Sequence, residues 1–185
     1  MSVSLPTDVV QRMVALRRDM HRHPELSGEE HDTAKRIEAQ LDELGIPHRR
    51  IADTGVVADL PGLGGGPMVA LRADTDALPV HEETGLPFRS VFDGVMHACG
   101  HDGHTSMLVG AAALLVADPP PHPVRLMWQP AEEHGTGAVA MIEGGALDGV
   151  DRIFGGHVDC CYAPGTLAVT TGPVNASTDT FLIEI

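Results

Sequence analysis

The stretch VRLMWQPAEE, residues 124–133, begins as an apolar run and ends in two adjacent carboxylates, Glu132 and Glu133. A short apolar run that is bounded by prolines is typical of a buried strand. Two neighbouring acids point in different directions, so one can bind a metal ion while the other handles protons. Open α/β sheets bind their ligands beyond the carboxyl ends of the strands, which favours a functional pair here. Taken alone, however, adjacent acids are more often part of a solvated surface.

Three other segments carry potential ligands. MVALRADTD (68–76) reads as a strand that runs into Asp74 and Asp76, and DRIFGGHV (151–158) ends an apolar run at His157. HACGHDGH (97–104) places three imidazoles, a thiol and a carboxylate within eight residues. Burying such groups without partners costs several kcal/mol each, and a solvated loop has no need of a cysteine. Nitrogen, sulfur and oxygen donors together suit a transition metal, so the segments together predict a convergent metal centre.

The periodicity of the chain predicts an α/β fold. One helix is expected from Asp8 to about Arg22, and a capping box at Ser27 and Glu30 is expected to open a second helix that Gly45 ends. Further elements are strands near 46–51, 56–60, 68–74 and 124–128, a nearly all-apolar helix over 105–116, and a short helix over 138–143. Alternating strands and helices predict a mostly parallel mixed sheet that is flanked by helices.

The amino-acid composition argues against some classes of binding partner. The chain has 12 Lys+Arg against 26 Asp+Glu, a formal net charge of -14, which argues against nucleic acid and anionic membranes. It contains no apolar run of about 18 residues, the length that spans a bilayer. The N-terminus lacks the pattern of a signal peptide, and three cysteines form no disulfide framework, so we expect a cytoplasmic protein.

Other motifs in the chain give weaker indications of function. The glycine-rich segment 62–66 does not fit a dinucleotide loop, because Pro67 stands where a third glycine should be and a strand follows. His21, His23 and His31 are predicted to be surface or loop histidines, although the stretch His-Pro-Glu-Leu could support a site indirectly.

Five segments together resemble one enzyme family: HRHPELSGEE, RADTDALPV, MHACGHDGHTSMLVGAA, WQPAEE and GGHV. They are similar, in the same order, to the amidohydrolase branch of the zinc-dependent aminoacylase and carboxypeptidase superfamily. That branch includes N-acyl-amino-acid amidohydrolases, hippurate hydrolases and plant auxin-conjugate hydrolases. The resemblance implies a zinc-peptidase-like catalytic domain that hydrolyses the amide bond of a small N-acyl amino acid or a similar conjugate.

The resemblance also implies roles for particular residues. It implies a centre of two divalent metal ions, and Zn, Mn, Co and Ni all suit its mixed donors. The matching metal ligands are Cys99, His101, Glu133 and His157. Glu132 matches the general base, which would pass a proton from water to the leaving amine. Asp74 and Asp102 are expected to orient ligand histidines or the site loop, and His97 or His104 to orient groups or stabilise charge.

The length of 185 residues falls short of that family's usual length. The chain is therefore expected to be an N-terminal portion: residues 1–175 as a segment of the catalytic domain, and 176–185 as the first strand of an inserted lid or dimerisation domain. The last ligand histidine of the family has no counterpart here, and a family-type homodimer is not expected. The alternative to an active hydrolase is a truncated, inactive or merely metal-binding fragment. The apolar helix Thr105–Val116 is also expected to lack part of its cover.

Overall fold

The computed structural model describes residues 5–169 and 171–172. The elements that it contains, in chain order, are α1 (Thr7–Arg22), α2 (His31–Glu43), β1 (His48–Ile51), β2 (Gly55–Leu60), β3 (Met68–Asp74), α3 (His101–Ala117), β4 (Val124–Gln129), α4 (Gly137–Glu143) and β5 (Val150–Gly155). The predicted domain boundary after residue 175, and the strand predicted for 176–185, lie outside the described residues.

The five strands form one mixed sheet in the order β1-β2-β4-β3-β5. β3 pairs in parallel with β4 and β5, whereas β2 is antiparallel to β1 and β4. Asp74 lies opposite Gln129, and Arg72 lies opposite Gly155. The carboxyl ends of β3, β4 and β5 therefore meet at one edge, which brings together the polar segments that follow them. The predicted α/β fold, with helices flanking a mixed sheet, is confirmed, but two of the four strand pairs are antiparallel, so the sheet is not mostly parallel.

Alternating side chains of the central strands face two separate apolar layers. Leu126 and Trp128 of β4 pack with α1, α2 and α3, and both are fully buried. Met127 faces the other side, where it packs with Met141 of α4. The period of two along β4 thus places helices on both faces of the sheet. The larger layer carries α3, and α3 begins at the edge where the polar segments meet.

The capping box predicted at Ser27 and Glu30 is wrong. Helix α2 begins at His31, and its first turn is capped by the carboxylate of Glu25, which accepts the N–H groups of Asp32 and Thr33 at 3.0 and 2.6 Å. The Ser27 hydroxyl instead donates to Asp76 at 2.6 Å. The Glu30 carboxylate is fully buried and accepts the Ala131 N–H at 2.7 Å and the Thr54 hydroxyl at 2.8 Å. Ser27 and Glu30 therefore form hydrogen bonds with residues that are distant in sequence instead of with the first turn of α2.

Helix α3 begins earlier than predicted and is better covered. It starts at His101 rather than Thr105, after Gly100, whose φ of 87° suits glycine. It packs against α1 and β3, and the expected lack of cover is limited to side chains such as Met107 and Val116, which are exposed. Strand β5 also carries exposed apolar side chains, because Ile153 and Phe154 are 49% and 59% exposed. In the described part of the chain, no helix combines the length and apolarity needed to cross a bilayer.

Candidate metal centre

Four polar segments meet at the carboxyl edge of the sheet. Cys99 precedes α3, and His101 occupies the first turn of that helix. Glu132 and Glu133 follow β4, and His157 follows β5. The potential ligand atoms of Cys99, His101 and His157 lie within 4.8 Å of one another, as do those of His101, Glu132 and Glu133. The fold therefore brings together all four residues predicted as metal ligands and the residue predicted as general base.

The two ring nitrogens of His101 have different environments. Nδ1 lies 3.0 Å from the carbonyl oxygen of Asp76 and 3.2 Å from its Oδ1. Both partners are acceptors, so Nδ1 carries a proton, and in the neutral ring Nε2 is the nitrogen that has a free lone pair. Nε2 is buried and has no hydrogen-bond partner among the described residues. A buried acceptor without a donor is costly, and a cation at that position would satisfy it.

Carboxylates surround this free nitrogen at distances longer than a hydrogen bond. His101 Nε2 lies 3.7 Å from Asp74 Oδ2, and 3.9 Å from an oxygen of each of Glu132 and Glu133. The side chain of Glu133 is 24% exposed and that of Glu132 is 41% exposed. The backbone N–H of Glu133 donates to Asp76 Oδ2 at 3.0 Å, which fixes this turn beside His101. Of the two side chains, that of Glu133 is therefore the less exposed, although Glu133 as a whole residue is exposed.

Backbone conformation also marks the turn that carries this pair. Ala131, which precedes Glu132, has a φ of 47° although it is not glycine. Residues held in the left-handed region cost free energy and persist where surrounding contacts fix them, often at functional sites. Here the buried Glu30 carboxylate accepts the Ala131 N–H.

Cys99 and His157 face each other across the cluster. Cys99 Sγ lies 3.2 Å from His157 Nε2, while His157 Nδ1 lies 2.6 Å from the carbonyl oxygen of Val158. Two such atoms bound to one tetrahedral ion would be roughly 3.5 Å apart, given bonds of about 2.3 Å to sulfur and 2.0 Å to nitrogen. Burial, followed by the nearby charge of Glu133, raises the pKa of the Cys99 thiol to about 11. This negative environment suits a cation.

Asp76 connects the parts of the centre. Its carboxylate accepts hydrogen bonds from Ser27, His101 and the backbone of Glu133. Burial opposes ionisation, but these hydrogen bonds, that of His101 foremost, lower the pKa of Asp76 to about 2. The sequence predicts no role for Asp76. The sequence shows only that Asp74 and Asp76 occupy alternate positions at the end of a strand. That pattern does not indicate which of the two carboxylates contacts His101.

Asp74 and His104 form a second buried pair beside His101. Asp74 Oδ1 lies 2.5 Å from His104 Nδ1, and Asp74 Oδ2 accepts Arg72 Nη1 at 2.7 Å. The other nitrogen of His104, Nε2, accepts the backbone N–H of Val158 at 2.9 Å. Both nitrogens of His104 are therefore engaged, and the ring connects Asp74 to the residue that follows His157.

Asp102 points away from the candidate ligands. Its Oδ2 accepts Arg17 Nε at 3.1 Å and lies 2.9 Å from His21 Nδ1. His21 Nε2 in turn lies 3.2 Å from Glu82. The prediction of a surface or loop position is wrong for His21, which is buried in this network. The hydrogen bond to Asp102 raises the pKa of His21 although burial opposes it. Asp102 therefore holds the first turn of α3 against α1 rather than contacting a ligand ring.

His97 is enclosed without polar contacts. Its side chain is buried, and neither ring nitrogen has a hydrogen-bond partner in the described structure. Burial lowers the pKa of His97 to about 4, so the ring is neutral at physiological pH. A neutral ring without polar partners does not fit the predicted charge-stabilising role.

Comparison with known proteins identifies the family of the chain. The model of peptidase family M20/M25/M40 matches residues 70–180. An N-acetyl-L-cysteine deacetylase of Bacillus subtilis is 49% identical over 178 residues, which cover 95% of this chain and 43% of the relative. The IAA-amino acid hydrolase ILR1-like 6 of Arabidopsis thaliana is 45% identical and aligns with 94% of this chain and 38% of its own length.

Solved structures give the same result. The crystal structure of the YXEP protein of Bacillus subtilis, described as a dinuclear metal binding peptidase of the M20 family, superposes with a TM-score of 0.81 at 45% identity. The match covers 83% of this chain and 44% of that one. The chain thus spans less than half the length of these relatives. Because the family model matches more than half of its residues, including all four candidate ligands, the chain belongs to peptidase family M20/M25/M40.

Proposed function

We propose that this chain forms part of a metal-dependent amidohydrolase that cleaves the amide bond of N-acyl amino acids or similar small conjugates. The observation that carries the proposal is the buried, unpartnered Nε2 of His101, which faces carboxylates while Nδ1 is fixed by Asp76. The relatives named as a deacetylase and an amino acid hydrolase support the class of substrate. The preferred acyl group and a cytoplasmic location stay predictions.

Cys99, His101, Glu133 and His157 would hold two divalent ions. Sulfur, imidazole and carboxylate donors fit Zn, Mn, Co or Ni, and the description of the YXEP protein as dinuclear supports two ions. When bound, such ions polarise a carbonyl group and lower the pKa of a water molecule. The side chain of Glu133 is the less exposed of the acidic pair, which suits a ligand.

Glu132 would act as the general base. Its side chain is 41% exposed, so it can reach a water molecule that enters the centre, and its carboxylate lies 3.9 Å from His101 Nε2. It would take a proton from the attacking water and deliver that proton to the leaving amine. The more exposed side chain of Glu132 and the less exposed side chain of the adjacent Glu133 together support this division of roles.

Asp76 and His104 would position ligands rather than bind ions. Asp76 fixes the ring of His101 and the backbone of Glu133. His104 has no free nitrogen, and its hydrogen bond to Val158 N–H fixes the backbone next to His157. Partners of this kind commonly change metal affinity 10–100-fold when they are removed.

A second candidate function is metal binding without turnover. The observation that favours it is that the ligand cluster of Cys99 and that of Glu133 share His101, which has only one free nitrogen. The described residues therefore complete the surroundings of one ion more readily than those of two. In that case the chain would bind a metal ion and show no hydrolysis.

The test combines metal analysis with a substrate panel. The chain is loaded separately with Zn, Mn, Co and Ni, and hydrolysis of N-acetyl, N-benzoyl and indole-acyl amino acids is measured. Glu132→Gln is the matched variant, because its volume is unchanged while the proton acceptor is lost. The proposal predicts bound metal in both proteins and hydrolysis by the wild type alone. Bound metal without wild-type hydrolysis would favour the second candidate, and absence of metal would contradict both.

A further inference from the structure

A second cluster of potential ligands lies outside the centre described above. It consists of Asp159, Cys160 and Cys161, whose ligand atoms all lie within 4.8 Å of one another. Both cysteines are free thiols and both are exposed. Cysteine is among the residue types that are most often buried, so two adjacent exposed thiols serve no packing purpose. This cluster is separate from the candidate centre, because it shares no residue with the groups around His101.

The three side chains are already close to a chelating arrangement. The backbone N–H of Cys161 donates to Asp159 Oδ1 at 2.7 Å, which closes a tight turn. Two sulfurs on one tetrahedral ion are roughly 3.8 Å apart when each bond is about 2.3 Å. Because the ligand atoms lie within 4.8 Å of one another, a contraction of no more than about 1 Å is needed. Exposed side chains can make that adjustment by rotation, without movement of the backbone.

The donor set selects the kind of ion. Two thiolates disfavour Mg²⁺ and Ca²⁺, which take oxygen ligands, and favour Zn²⁺ and its heavier relative Cd²⁺. A carboxylate completes three protein ligands, and the exposure of all three residues leaves a fourth position open to water. The chain's net charge of -14 also attracts cations.

We propose that Asp159, Cys160 and Cys161 form a separate, solvent-accessible binding site for a thiophilic divalent cation of the Zn²⁺ or Cd²⁺ type. The site does not depend on the amidohydrolase function. It would hold one ion in addition to those at the candidate centre, and it begins two residues after His157 along the chain.

The test is a titration of the metal-free full chain with Cd²⁺ in the presence of a phosphine reductant that keeps the thiols reduced. Cadmium–thiolate bonds absorb in the near ultraviolet, so the amplitude reports the number of bound sulfurs. Four variants are compared with the wild type: Cys99→Ser, the double variant Cys160→Ser/Cys161→Ser, the triple variant that combines these three substitutions, and Asp159→Asn. Circular dichroism checks that each variant stays folded.

The expected amplitudes follow from the number of thiolates. Cys99→Ser keeps two of the three cysteines and should retain roughly two thirds of the wild-type absorbance. The double variant keeps one cysteine and should retain roughly one third. The double variant should also bind one Cd²⁺ fewer, and the triple variant should show no thiolate absorbance. Asp159→Asn should keep the amplitude and bind Cd²⁺ more weakly.

Two outcomes would overturn the proposal. One is complete loss of thiolate absorbance in Cys99→Ser, and the other is a double variant with the amplitude and stoichiometry of the wild type. Failure of the amidohydrolase proposal can be distinguished from failure of this one. If Cys99 is not a metal ligand, the absorbance amplitude of Cys99→Ser should equal that of the wild type, while the double variant should still bind one Cd²⁺ fewer.

Discussion

Replacing Asp76 with Asn should damage the candidate metal centre without changing side-chain volume. One carboxylate oxygen of Asp76 faces the ring N–H of His101, and the other faces the hydroxyl of Ser27 and the backbone N–H of Glu133. An amide has only one acceptor oxygen, so its NH₂ group must face one of these N–H groups. Either the ring of His101 or the backbone of Glu133 must therefore shift, and both residues are candidate ligands.

The size of the effect can be worked from these contacts. If the NH₂ group faces Glu133, the backbone N–H of Glu133 loses its acceptor, which should cost about 1–3 kcal/mol of the free energy of unfolding of the metal-free variant. If it faces His101, the ring N–H keeps the backbone carbonyl oxygen of Asp76 as an acceptor but meets a second donor. Loss of a group that orients a ligand should weaken metal binding about 10–100-fold. At a saturating metal concentration, a 100-fold loss of affinity removes about 2.7 kcal/mol of the stabilisation that the metal provides.

Two measurements on the same protein samples check this prediction. Competition with a chromophoric chelator gives the Zn²⁺ affinity, and urea unfolding with and without Zn²⁺ gives the two free energies. Asp93→Asn is the matched control, because the Asp93 side chain is 89% exposed and forms its ion pair with His81, which is also exposed. If Asp76→Asn folds cooperatively and binds Zn²⁺ as tightly as this control, Asp76 does not orient the ligands and the reasoning fails.

Four further predictions concern single groups. Cys99→Ser should lower the metal content, since a neutral hydroxyl is a poor ligand for these ions; equal content by metal analysis would remove Cys99 from the ligand set. Glu132→Gln should keep the metal and reduce turnover about 10²–10⁴-fold, whereas Glu133→Gln should lose metal, and the opposite pattern would exchange the two roles. His104→Ala should weaken metal binding about 10–100-fold in chelator competition, because the backbone beside His157 loses its anchor; unchanged affinity would leave His104 a packing residue. Glu30→Ala should lower the free energy of unfolding by about 2–6 kcal/mol in urea, because two buried donors lose their acceptor, and a loss well under 1 kcal/mol would show that water replaces the carboxylate.

Much of the fold can be predicted from the sequence because its signals are local. The apolar run Val124–Gln129 and the strand ending at Asp74 are recognisable from their composition, and both lie in the sheet. The predicted start of helix α1 lies within one residue of its observed start at Thr7. The segments that meet in the candidate centre can also be selected from the sequence, because neither an apolar core nor a solvated loop requires imidazole, thiol and carboxylate groups together at strand ends.

The sequence alone determined which residues are able to bind a metal, since donor chemistry belongs to the side chain. Only the tertiary structure decided what each one contacts. Ser27 and Glu30 have the residue types of a capping box, yet Asp76 and Ala131, which are distant in sequence, take up their hydrogen bonds. The role of Asp76 and the full engagement of His104 depend on the parallel register of β3 with β4 and β5. Long-range pairing fixes that register, and no local pattern encodes it.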